Sequence, residues 1–313
     1  MITTNLIFSI NNLTMNFQEM TLLFGSNSFV GKNLKVDHKV SRQECDLTKY
    51  DQVFKTLKKY RPSHVINCAA AHGSARTMSI NNAEYMNTNI MIDSNILKAA
   101  HSLDIENIIL MSSISAFPEV KGRDINENDL HTGEVNKYNF GYNSSKRISS
   151  DLCESYVLDH KRNYRALFLG NLYGEHATFK IDSNMLNSII FQIHRSKLTG
   201  ENLTLYGTGE DQRAFTYVDD LNEFIPKFFA KREIKSCIFS SSEVFSVREI
   251  AEMVSKVIDF KGRVQFSGEI TDNQKRKVAS VEYLSKSFPD FRYTPFEIGL
   301  KKTIAWFLNS IVG

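Results

Sequence analysis

Thr21-Leu22-Leu23-Phe24-Gly25-Ser26-Asn27-Ser28-Phe29-Val30-Gly31 is the stretch on which the architecture turns. Four strand-forming residues run into a glycine-bearing turn, and the chain after it can open a helix over Lys32 to Leu34. A strand, a glycine turn and a helix N-terminus together present backbone N–H groups to a pyrophosphate, which is how dinucleotide folds begin. The spacing is G-x-x-G-x-x-G with Ser28 in the middle place, between Gly25 and Gly31. An ordinary strand-to-helix turn reads the same in isolation, so the surrounding pattern has to decide.

That pattern alternates. Val65 to Ala71 is a buried strand entered from the turn-forming Pro62-Ser63, and Asn87 to Leu103 carries apolar residues at helical spacing. Asn107 to Met111 is a second buried strand, Tyr142 to His160 a helix, and Ala166 to Leu169 a further strand. Strands alternating with helices imply right-handed crossovers and a parallel, doubly wound α/β sheet of Rossmann type. Only ten residues separate Gly31 from Arg42, so the first helix and second strand must both be short. Past Gly174 the rhythm loosens through Gly207-Thr208-Gly209, a helix over Val247 to Ile258 and an amphipathic segment over Phe296 to Leu308. The expected plan is an extension over residues 1–19 and a dinucleotide-binding domain over 20–174. A smaller substrate-binding lobe over 175–313 then sends segments back to the sheet.

Composition narrows the function classes. A formal net charge of +3 and no basic run longer than Lys58-Lys59-Tyr60-Arg61 argue against a nucleic-acid partner. Four scattered cysteines with no CxxC pair read as reduced thiols and leave no metal site. No Lys or Arg occurs between Met1 and Met20, so no secretory leader is expected, and no apolar run has the length of a membrane span. The expectation is a soluble, cytoplasmic enzyme.

Its chemistry is carried by Tyr142 and Lys146, four residues apart and therefore on one helix face, with Ser113 just past the strand that ends at Met111. Tyrosine and lysine at this spacing are common; the position of Ser113 at the carboxyl edge of the sheet is what singles them out. An ammonium and a cationic nicotinamide would stabilise the phenolate and bring Tyr142 from near pH 10 towards working pH. Tyr142 would then give a proton to a carbonyl oxygen held by Ser113, while hydride arrives at the carbon. Ser41-Arg42 falls where the adenosine ribose would lie and suits a 2′-phosphate; Asp37 is the acidic rival for a free 2′-hydroxyl. Asp46-Leu47 either contacts adenine or, at Asp46, caps a helix over Thr48 to Lys59.

With these residues in view, the chain resembles the extended short-chain dehydrogenase/reductase family, and within it the GDP-4-keto-6-deoxymannose epimerase/reductase branch. The resemblance runs from about Thr21 to the C-terminus. It is densest in Ala69-Ala70-Ala71, Met91 to Ile96 with Ala99-Ala100-His101, Leu152 to Tyr156, Asn171-Leu172-Tyr173-Gly174, Gly207-Thr208-Gly209, and Arg213 to Asp220. It implies Ser113, Tyr142 and Lys146 as catalytic residues and NADP(H) as cofactor. The cofactor would be held by Gly25, Asn27, Ser28, Phe29, Val30, Gly31, Arg42, Asp46, Leu47, Ala69, Ala70, Ala71, Tyr142, Lys146, Leu169, Asn171 and Leu172. A GDP-linked 4-keto sugar would meet Ser115, Asn171, Met185 and Arg213, with Arg213 on the diphosphate, and the chain would form a homodimer. Two departures stand out. Where that branch carries an epimerising cysteine and histidine, this chain has Ser115 and Met185, and His176 is the nearest remaining base. The resemblance therefore implies an NADPH-dependent C4 reductase without 3,5-epimerase activity, serving surface (capsular) polysaccharide synthesis. The alternatives are a bifunctional 3,5-epimerase/4-reductase and a non-catalytic NADP-binding regulatory protein.

Overall fold

The computed structural model describes residues 20–73, 75–269 and 276–312; the expected extension over residues 1–19 lies outside the described residues. Strand β1 (Thr21–Phe24) leads through the glycine turn to α1 (Phe29–Asn33) and β2 (His38–Val40). There follow α2 (Tyr50–Tyr60), β3 (His64–Asn67), α3 (Ala75–Ile80), α4 (Asn82–Ser102) and β4 (Asn107–Ser113). Next come α5 (Phe140–His160), β5 (Asn163–Leu169), β6 (Asn171–Tyr173), α6 (Met185–Thr199), β7 (Leu203–Leu205) and β8 (Gln212–Tyr217). The chain continues through α7 (Asp220–Ala230), β9 (Cys237–Phe239), β10 (Val244–Ser246), α8 (Val247–Ile258) and β11 (Val264–Phe266). It closes with β12 (Arg276–Lys277), α9 (Glu282–Ser287) and α10 (Phe296–Val312).

Six strands form one sheet in the order β2-β1-β3-β4-β5-β9, with every pairing parallel. The two-residue period of a strand explains how both faces are covered. Leu22, Phe24, Val65, Ile108 and Leu110 point to one face, under Val53 and Leu57 of α2 and Ile96 and Leu97 of α4. Leu23, Ile66, Ile109 and Met111 point to the other, under Leu221, Phe224 and Phe228 of α7. The fold class is thus the doubly wound parallel sheet that the alternation implies. The sixth strand, β9, is one of the returning segments. Its outer edge is closed where the Glu127 carboxylate accepts the Ile238 N–H at 3.0 Å, which leaves that edge donor unavailable to another chain.

A second, smaller assembly has β8 at its centre, paired with β10, β12 and β6. Its own core joins Ile189, Ile190 and Ile193 of α6, Ile250 and Val254 of α8, and Phe296 and Leu300 of α10. Because β6 follows β5 directly and pairs with β8, the two assemblies share a wall.

The boundaries differ from expectation in instructive places. The strand expected over Val65 to Ala71 ends at Asn67, because the Asn67 side chain turns the chain: it accepts the Ala69 N–H at 2.9 Å and donates to the Ala69 carbonyl at 3.3 Å. The first helix is Phe29–Asn33, earlier than Lys32 to Leu34, since Ser28 caps it. It and the three-residue β2 are as short as the spacing requires. Asp46 does not cap α2. It accepts the Thr48 N–H and hydroxyl at 3.1 and 2.8 Å, a local turn ahead of a helix that starts at Tyr50.

Candidate active site

The strand order reverses between β1 and β3, and the carboxyl ends of those strands open the crevice where such sheets take ligands. Gly25 stands there with φ +84°, and a Cβ on it would lie 2.5 Å from the Ala69 nitrogen. A Cβ on Gly31 would lie 2.2 Å from the Gly25 carbonyl oxygen. Both positions thus exclude any side chain, and the backbone between them forms a close cradle. Ser28 has extended backbone angles that any residue can adopt, and its hydroxyl accepts the Gly31 N–H at 3.0 Å as the N-cap of α1. Serine in the middle place is therefore compatible with the turn. Asn27 reaches across to Gln43 at 3.4 Å and joins this turn to the loop after β2.

Two cavities meet at Ala70 along this edge. The smaller, of about 110 Å³, is bounded by Gly25, Arg42, Asp46, Leu47, Ala69 and Ala71. The larger, of about 590 Å³, runs from Ser28, Phe29 and Val30 past Ser113, Tyr142 and Lys146 to Asn171, Met185 and Arg213. Leu169 and Leu172 also border it. Of the residues inferred from sequence, the structure brings all but Asn27, Gly31 and Ser115 onto these two walls. Asn27 and Gly31 shape the glycine turn from behind, and Ser115 stands behind Ser113.

The candidate catalytic trio comes from two elements: Ser113 ends β4, while Tyr142 and Lys146 sit one turn apart on α5. Lys146 is 3% exposed, its ammonium donates to the Met111 carbonyl at 2.9 Å, and it lies 5.9 Å from the centre of the Tyr142 ring. Ser115 donates its hydroxyl to Ser113 at 3.0 Å, and its N–H points to the same oxygen at 3.2 Å. The Ser113 oxygen thus accepts twice from Ser115 and keeps its own hydrogen for another acceptor. Among the described residues, no hydrogen bond holds the Tyr142 hydroxyl. Burial, and secondly Asp93, push its pKa up to about 12. The protein's own groups thus raise this phenol, and the lowering expected from the ammonium together with a cationic nicotinamide belongs to the cofactor-bound site. Lys146 is pushed down, first by burial, with Asp93 acting against that.

Several site residues gave no signal in the sequence. His72 lines the larger cavity with its ring edge-on to Tyr142 at 5.2 Å, and burial then Lys146 push its pKa down. An isolated histidine after Ala69-Ala70-Ala71 matches no motif. Asn89 grips Ala71 by both backbone groups, accepting at 2.7 Å and donating at 3.1 Å. Lys277 pairs in register with Arg213 across β12 and β8, and burial then the Arg213 charge push its pKa down. Arg213 itself lies 3.5 Å from Asp211 and donates to the Gln212 carbonyl at 2.8 Å. Cys68 borders the cavity too, but burial raises its thiol to about 12, so it is no thiolate acid–base group at neutral pH.

Two residues weighed as alternatives stand elsewhere. Asp37 accepts the Thr21 N–H at 2.8 Å, which puts it at the amino end of β1, away from the crevice. The carboxylate whose charge meets Arg42 is Asp46, on the wall of the smaller cavity, while Glu44 accepts the Ser41 N–H at 2.8 Å and anchors the turn that carries Arg42. His176 packs its ring on Trp306 of α10 at 5.2 Å and does not border the cavity, so it is not the spare base.

This fold and site define a dinucleotide-dependent enzyme of the extended short-chain dehydrogenase/reductase class. More particularly, the chain belongs to the NAD dependent epimerase/dehydratase family, whose model matches residues 15–238. It is 25% identical over 304 residues to the GDP-L-fucose synthase of Dictyostelium discoideum, covering 92% of this chain and 95% of that protein. A solved GDP-L-fucose synthetase from Naegleria fowleri bound to NADP shares the fold with a TM-score of 0.85 at 23% identity, covering 94% and 95% of the two chains. A GDP-mannoheptose C4 reductase from Campylobacter jejuni with NADP bound does so at 0.83 and 20%, covering 93% and 98%. No helix among the described residues is long and apolar enough to cross a membrane.

Proposed function

We propose that this chain is an NADPH-dependent C4 reductase of a GDP-linked 4-keto sugar, a 6-deoxyhexose or heptose bound for a surface polysaccharide, and that it does not epimerise C3 or C5. The observation that carries this reading is one cavity in which Ser113, Tyr142 and Lys146 converge while Met185 stands on the wall and Ser115 is spent on Ser113. The glycine cradle and the Ala69-Ala70-Ala71 loop fit a dinucleotide, since a Cβ at Gly25 or Gly31 would close the space its backbone leaves. Arg42 on the smaller cavity favours the 2′-phosphate. NADPH, when bound, supplies the hydride.

The chain's own residues do the rest. Ser113 offers its hydrogen to the ketone oxygen. Tyr142, held protonated by burial and by Asp93, is a proton donor to the alkoxide. Lys146 sets its amine 5.9 Å from the centre of the ring, with Asp93 opposing the loss of its proton. Arg213 and Lys277, side by side, suit a diphosphate. Epimerisation would need a base and an acid on opposite faces of the sugar, each with a pKa near working pH. A thioether at Met185 transfers no proton, and the Ser115 hydroxyl is already engaged. The bifunctional alternative has one observation in its favour, the His72 imidazole on the cavity wall.

Incubation with 4-keto substrate and oxidised cofactor in D₂O separates these readings, since reduction is then impossible. We expect no deuterium at C3 or C5 above a no-enzyme control. Enzyme-dependent exchange that disappears in His72→Gln would establish the bifunctional reading. NADPH oxidation against a panel of GDP-4-keto sugars, with NMR of the products, identifies the sugar; no oxidation with any of them would favour a non-catalytic NADP-binding protein.

A further inference from the structure

Beneath the catalytic pair lies a carboxylate that the mechanism above does not use. Asp93, on α4, is 3% exposed, and both its oxygens are engaged. Asn67 donates its side-chain amide to one at 2.7 Å, and Ser149 donates its hydroxyl to the other at 2.5 Å. Each partner reaches further. Asn67 clasps Ala69, in the loop between the two cavities, at 2.9 and 3.3 Å. Ser149 lies three residues past Lys146 on α5 and shares its hydroxyl with the Ser145 carbonyl at 2.9 Å. A parallel strut runs from Asn89, which holds Ala71, to Ser145 at 3.3 Å. None of the hydrogen bonds to Asp93 comes from a cation, which is an unusual state for a buried carboxylate. The nearby cation is Lys146, whose ammonium is bonded to a neutral carbonyl, that of Met111.

We propose that Asp93 is a positioning residue for reduction: through Asn67 and Ser149 it locks the cofactor-side loop to the helix bearing Tyr142 and Lys146, and its carboxylate balances the buried Lys146 ammonium. The charges on either side agree with this arrangement. Asp93 opposes the loss of the Lys146 proton and raises the Tyr142 phenol, and Lys146 in turn offsets the burial that raises Asp93. The titratable groups around it are Lys146, Tyr142 and Cys153 from α5 and Cys68 from the end of β3; His72 faces Lys146 from the following loop. Removal of the carboxylate therefore lets Lys146 lose its proton at lower pH. Its role in turnover rests on the C4-reductase reading; the lysine titration does not.

The test is ¹³C NMR of lysine-labelled enzyme, with the Lys146 ε-carbon assigned by Lys146→Met. Asp93→Asn is expected to lower the Lys146 midpoint by roughly one pH unit or more, and Asp93→Glu to restore most of it. With a 4-keto substrate that turns over, D93N should lose kcat about tenfold or more and move the alkaline limb of the pH profile downward, with NADPH Kd changed less than about threefold. A wild-type Lys146 midpoint in folded D93N would overturn the proposal. Should D93N not fold, the wild-type protein still decides: the Asp93 carboxyl carbon should shift a second time at the Lys146 midpoint and not do so in Lys146→Met. Independent titration of the two groups would refute the coupling. If no sugar is reduced but the two groups titrate together, the substrate reading fails and the coupling stands.

Discussion

Replacing Tyr142 by Phe removes one oxygen, and the structure shows how little else it changes. The ring lies edge-on to His72 at 5.2 Å and 5.9 Å from the Lys146 ammonium, contacts that phenylalanine keeps. Among the described residues the hydroxyl has no hydrogen-bond partner, so the substitution strands no buried donor or acceptor. The stability change should therefore stay within about 0.5 kcal/mol, the range of substitutions that break no contact, or about 1–2 °C in Tm for a chain of this size. Turnover should behave quite differently. A positioned proton donor contributes about 10²–10⁴-fold, equivalent to about 2.7–5.4 kcal/mol of barrier. Two assays separate these terms: differential scanning calorimetry for the fold, and stopped-flow NADPH oxidation with saturating 4-keto sugar for the chemistry. NADPH binding by fluorescence should stay within about twofold, since the loss of one hydroxyl leaves the glycine cradle untouched. A variant that keeps more than about a tenth of the wild-type rate would move the proton donor elsewhere. One that melts more than about 5 °C lower would show that the hydroxyl has a structural partner.

Arg42→Ala should raise the KM for NADPH about tenfold, as expected for an exposed charge-assisted contact worth about 1.5 kcal/mol, and leave the KM for NADH almost unchanged; a wild-type preference for NADH would refute this reading of Arg42. Gly31→Ala puts a methyl 2.2 Å from the Gly25 carbonyl, so thermal melts should show a loss of about 1–3 kcal/mol and a much smaller stabilisation by NADPH than in wild type. The chain should be a homodimer through the outer faces of α4 and α5, where Met91 is 46% exposed. Light scattering at micromolar concentration should give twice the 35.8 kDa chain mass, with Met91→Arg shifting it towards monomer, and a monomeric wild type would refute the interface.

Much of this molecule was legible in one dimension because its determinants are local. A buried parallel strand needs a run of apolar residues, and its carboxyl end needs a glycine where backbone must come close to backbone; both are written in Thr21 to Gly31, and β1 has the expected bounds. The four-residue spacing of Tyr142 and Lys146 puts them on one face of any helix, and Ser113, expected just past a strand ending at Met111, is the last residue of β4. What escaped is what long-range contacts decide. The strand over Val65 to Ala71 stops at Asn67 because of a side-chain hydrogen bond, which periodicity does not register. His176 drew notice in the sequence and His72 did not, yet one loop sets the His72 ring against Tyr142 and another sets the His176 ring against Trp306. The burial that raises the Tyr142 phenol comes from the assembled interior, which the spacing of Tyr142 and Lys146 does not register. Asp93 looks like one more polar residue on a helix. Only the packing of α4 against β3 and α5 removes it from water and leaves it among Asn67, Ser149 and Lys146, since desolvation is a property of the assembled interior and of no single segment.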